Sequence, residues 1–159
     1  MLRNTLAAAL LVLPLAAFAQ TPPAADRYVD IVNWPTAEAS LDRFAGVEAT
    51  LNGGFDKICG DTFCEGEFHN LRAMQLTCSV DATKSSMKQC VWTFAGTTAS
   101  VVTKSGAVQA AGKLYKCKIR LPKDMLVEQF YEAMKADDAL NAKLPGSRNS
   151  VYDSLVGCL

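Results

Sequence analysis

Hydrophobic positions along this chain change period twice, from helical spacing to strict alternation and back. Leu41, Phe44, Val47 and Leu51 recur at helical intervals after Pro35-Thr36, and Asn52-Gly53-Gly54 reads as a C-terminal stop. The spacing predicts a helix over 37–52. Tyr28 to Trp34, ahead of it, is apolar enough to be ordered but has no clear period. Three alternating runs follow. Met74, Leu76, Cys78 and Val80 share one phase, as do Cys90, Trp92 and Phe94, and then Tyr115, Cys117, Ile119 and Leu121. Alternation of this kind marks half-buried strands. The polar stretch Asp81–Lys88 and the tripeptide Lys104-Ser105-Gly106 supply turns between them, and Pro122 stops the last run.

Helical spacing then returns. Leu126, Phe130 and Met134 predict a helix over 124–140, and Pro145-Gly146-Ser147 breaks the chain. Val151, Leu155 and Cys158 stand at i, i+4 and i+7 of a terminal helix with Ser147 or Ser150 as its N-cap. Helices segregated from strands indicate an α+β fold. The expected architecture is a small antiparallel meander of three or four strands, with an N-terminal helix and two C-terminal helices packed on one face. Trp92, Phe94, Met74, Met125 and Met134 fall at expected core positions.

The chain begins unlike the rest. Arg3 precedes an apolar run from Leu6 to Phe18, and Ala17-Phe18-Ala19 matches the small-x-small pattern that signal peptidase reads. Thirteen residues fall short of the roughly 20 that cross a bilayer as a helix, so residues 1–19 read as a cleavable leader cut between Ala19 and Gln20. Residues 20–27 read as a Pro-containing disordered tether, and 28–159 as a single domain. Loss of Arg3 leaves 15 basic and 16 acidic residues, a net charge of −1. That balance gives no overall pull toward nucleic acid or anionic lipid.

Six cysteines behind such a leader imply an oxidising compartment, periplasmic or extracellular, and a disulfide framework. Fifteen pairings are possible. Cys78 and Cys90 flank one turn on the apolar phase of neighbouring strands, which predicts a cross-strand bridge. Cys117 and Cys158 would clip the terminal helix to the sheet, leaving Cys59 and Cys64 to close a short loop. A redox pair would favour two intervening residues where Cys59 and Cys64 have four. A zinc site would need a fourth ligand beside Cys59, Cys64 and His69. No metal or cofactor is expected.

Chemistry is densest between Asp56 and His69, where Asp56, Asp61, Glu65, Glu67 and the chain's one histidine gather around two cysteines. Calcium chelation, a carboxylate/His69 hydrolytic site, a recognition epitope and a plain solvated loop are all compatible with that composition. The EF-hand pattern is absent, G-x-S-x-G is absent, and Glu65 and Glu67 would point to opposite sides of an extended segment. Trp34, next to Pro35 and outside any periodic element, is a candidate exposed aromatic contact. Together these features suggest an exported, soluble, non-enzymatic binding module of the bacterial cell envelope. It would recognise another envelope or secreted protein as an inhibitor or immunity-type factor, its acidic loop suited to a basic target. No nucleic-acid partner and no membrane anchor are expected. The alternative is a small periplasmic hydrolase using His69 with Asp61 or Glu65.

Overall fold

The structure, a computed structural model, describes residues 27–59, 63–66, 68 and 70–159, and of Glu65 only the backbone. The expected leader and residues 20–26 of the tether lie outside them. Arg27, assigned to the tether by composition, is held: its guanidinium pairs with Asp81 at 2.8 Å, and its carbonyl accepts the Ala82 amide.

The protein is an α+β fold built on a four-stranded antiparallel sheet in sequence order: β1 (Tyr28–Asp30), β2 (Arg72–Asp81), β3 (Ser86–Val101) and β4 (Val108–Ile119). Leu76, Cys78, Val80, Cys90, Trp92, Phe94, Cys117 and Ile119 face the buried side. Against them lie α1 (Ala37–Cys59), α2 (Val127–Ala133) and α3 (Val151–Val156). All three expected disulfides form: Cys59–Cys64, Cys78–Cys90 and Cys117–Cys158. Cys78 and Cys90 stand directly opposite in the β2/β3 register.

α1 runs through Asn52-Gly53-Gly54 instead of stopping there. Its buried stripe is Phe44, Val47, Leu51, Phe55 and Cys59, while Leu41 is exposed. Two interior glycines cost a helix about 2 kcal/mol. Burying the Phe55 ring, centred 4.7 Å from Phe94 and 6.0 Å from Trp92, offsets most of that. Gly54 also lets the helix approach closely, since a Cβ there would meet Leu140 Cβ at 3.2 Å.

Met74 was expected inside and is 58% exposed. A bulge between Ala73 and Leu76 sets the phase back, turning Ala73 inward. The Thr93 hydroxyl fastens it, accepting from the Gln75 amide and donating to the Gln75 carbonyl. The Leu76 amide is taken up by Glu48 of α1 at 3.0 Å.

The helix expected over 124–140 is confined to α2. Asp124 adopts a positive φ of 53°, and Leu126 sits exposed ahead of the first turn. Beyond Met134 the chain leaves the helix, and Asp138 accepts from both the backbone and side-chain amides of Asn141. Such local acceptors compete with helical bonding. α3 starts as expected at Ser150, which accepts from the Asp153 amide at 3.1 Å while Asp153 accepts from the Ser150 amide at 2.7 Å. Cys158 lies one residue past the Gly157 cap, outside the helix on which its spacing placed it.

Candidate functional site

Of the residues singled out by sequence, the structure describes Asp56, Trp34 and the backbone of Glu65. Asp56 is exposed near the end of α1, and Glu65 belongs to a short 3-10 turn, Phe63–Glu65. Asp61, Glu67 and His69 lie outside the described residues. Trp34 stands before the other end of α1, about 30 Å of helix away from Asp56. It is half-buried and packs against the core, its carbonyl accepting the Ser40 hydroxyl. Phe63 packs onto the fold, stacking on Phe55 with ring centres 6.0 Å apart and lying 5.6 Å from Tyr152.

Charged groups elsewhere act as clamps. Arg43 of α1 makes a bidentate pair with Glu128 of α2, which lowers the Glu128 pKa and raises that of Arg43. The same guanidinium lies 3.7 Å above the Tyr131 ring. Burial raises the Tyr131 pKa, and its hydroxyl has no hydrogen-bond partner among the described residues. That oxygen is sealed from solvent, so the 230 Å³ hollow beside the ring does not reach it. Hydrogen bonds from Arg27 and from the Thr83 hydroxyl hold the Asp81 carboxyl down at about 2.

The largest departure from a closed domain lies at the β3/β4 hairpin. The two strands pair continuously from Cys90↔Ile119 to Val101↔Val108. β2 stops pairing at Arg72↔Ala95, and the core stops one residue later. Gly96 is the last buried residue of β3, because Phe68 and Leu71 pack onto it; a Cβ there would meet Phe68 Cβ at 2.6 Å. Beyond Gly96 every residue of β3 is exposed, as is every residue of β4 before Tyr115. The side chain of Asn70 closes the base, accepting from the Thr97 amide at 2.8 Å.

What remains is a bare two-stranded ribbon. The β4 edge has no neighbouring strand among the described residues, and Val101 and Val108 at the far end are 62% and 72% exposed. Near the core the β4 edge carries Lys113, Lys116 and Lys118, whereas Val108–Gly112 carries no charge. The alternating apolar runs end at Phe94 and begin again at Tyr115, because Thr97–Val101 and Val108–Lys113 show no apolar alternation. The available signal was composition: no Pro, no acid, and β-branched residues on both sides of a Lys-Ser-Gly turn.

No family model, curated protein or solved structure matches the chain. Its functional reading therefore rests on the residues and on the fold.

Proposed function

We propose that the protein is an exported, non-enzymatic binding module of the bacterial cell envelope, an inhibitor or immunity-type factor that recognises another protein. The ribbon 97–113 carries this reading. A two-stranded hairpin with no core behind it contributes little to its own stability, and an open edge invites strand addition. Cations guard the near half of that edge and leave the far half free, which suits uptake of an uncharged extended segment of the partner. The leader-like residues 1–19 and the three disulfides support an oxidising, extracytoplasmic setting.

The test is a trimmed variant in which Asn-Gly replaces residues 98–111, joining the paired Thr97 and Gly112. Its melting temperature should stay within a few degrees of the intact protein, because the excised residues are all exposed except Val102, which is half-buried at the turn removed with it. Intact mature protein should retain a stoichiometric partner from an envelope extract, and the trimmed protein should lose it. Equal retention by both would rule out the ribbon. A partner lost instead on Asp61→Asn, Glu65→Gln and Glu67→Gln would move the contact to the acidic segment.

A further inference from the structure

Charge in this chain is balanced in total and segregated in space. Residues 72–121 hold eight cations and a single carboxylate, Asp81, which is already paired with Arg27. The acids concentrate in the chain on either side, which builds the helical layer. A neutral total conceals a strongly basic sheet.

Register then sorts the sheet's side chains. Along β4, Val108, Ala110, Gly112, Leu114, Lys116 and Lys118 alternate with the residues on the core side and share the opposite face. Their partners on β3 are Val101, Ala99, Thr97, Ala95, Thr93 and Val91. Among the described residues no helix covers this face, and none of these residues is acidic. One end is an apolar strip interrupted only by Thr97, from the Val101/Val108 pair to the Ala95/Leu114 pair. The other end is cationic, with Lys116 and Lys118, and Arg72 lies beside Ala95 on β2. Lys118 also lines a 390 Å³ cleft with Lys88 and Arg120. None of these five cations is in an ion pair among the described residues.

We propose that this face docks on an anionic phospholipid bilayer. Unpaired cations match lipid phosphates, and the adjoining apolar strip matches the interfacial region beneath the headgroups. Peripheral attachment generally requires both signals. Charge alone would serve nucleic acid equally well, but a duplex offers nothing to Val101, Val108 and Leu114. A sheet face laid on a bilayer leaves the outer edge of β4 open sideways, so lipid docking and capture of an extended segment are compatible.

The mature, disulfide-intact protein should co-sediment with vesicles of phosphatidylcholine and phosphatidylglycerol, not with phosphatidylcholine alone, and added salt should release it. Each cation near an anionic surface contributes about a factor of five to partitioning. Lys116→Gln with Lys118→Gln should therefore weaken binding about 25-fold, with an unchanged melting temperature confirming the fold. Val101→Ser with Val108→Ser should weaken it independently. Asp137→Asn with Asp138→Asn, in the helical layer, should not weaken it. Equal binding to both vesicle types, no response to the lysine pair, or tighter binding to duplex DNA than to anionic vesicles would overturn the proposal.

Discussion

Gly96 marks the point where the core ends and the ribbon begins, and the contact there can be measured. An alanine Cβ would lie 2.6 Å from Phe68 Cβ, 2.8 Å from Phe68 Cγ and 3.0 Å from Leu71 Cδ2. Two of these are backbone-proximal atoms of one ring residue that is itself buried, so rotation about a single bond does not relieve the clash. Overpacking of this kind costs about 1–3 kcal/mol. Replacing glycine by alanine in a strand recovers about 0.5–1 kcal/mol. Gly96→Ala should therefore destabilise the protein by about 1–2 kcal/mol in urea unfolding with the disulfides intact. The control is the same substitution in a Phe68→Gly background, where both crowding atoms of that side chain are gone and only the mobile end of Leu71 remains. There the alanine should be close to neutral, giving a coupling energy of about 1 kcal/mol between the two sites. A neutral or stabilising Gly96→Ala in the wild-type background, or equal effects in both backgrounds, would refute this account of where the core stops.

Two further outcomes are expected. Non-reducing peptide maps should give Cys59–Cys64, Cys78–Cys90 and Cys117–Cys158 with no free thiol. By loop closure, for separations of 5, 12 and 41 residues, their removal should cost about 2, 3 and 4 kcal/mol in unfolding experiments, with the Cys59/Cys64 pair mattering least. The Asp81 carboxyl, held at about 2 against an ordinary 3.8, contributes stability that is fully present above about pH 4 and is lost as pH falls through 2. The gap in urea midpoint between wild type and Asp81→Asn should thus narrow over that interval, and a constant gap would contradict the Arg27–Asp81 pairing.

Sequence pattern revealed most of the layered core. Alternation at Cys78, Cys90, Trp92, Phe94 and Cys117 located three strands and fixed the disulfides, because each inward position is buried against a helix. It failed where tertiary contacts outweighed local signals. Phe55 carried α1 past two glycines, the Thr93-fastened bulge moved Met74 out, and Asp138 turned the chain away from a longer α2. The fourth strand, β1, is three residues long, too short to show a period. The candidate site was less legible. The acidic segment was conspicuous by composition, but of its candidate residues the structure describes only Asp56 and the backbone of Glu65, and Trp34 lies at the other end of α1 from Asp56. The ribbon left no hydrophobic alternation because neither of its faces meets the core. Even the basic sheet was countable in advance, yet an overall balance of charge concealed it until register showed which cations share a face.

Because the ribbon beyond Thr97 is exposed apart from half-buried Val102 at its turn, its length is not tied to the stability of the rest. Cross-strand pairs can be added or removed at the tip without repacking any side chain beneath Phe68. Parity constrains such changes. Removing one pair brings the next pair to the tip and presents the opposite face there, whereas removing two restores the original facing. The reach of this arm can therefore vary among related chains in steps of two pairs, about 7 Å each. Insertions of four residues in all, two per strand, would preserve which face carries Val101 and Val108, and insertions of two would turn the tip over.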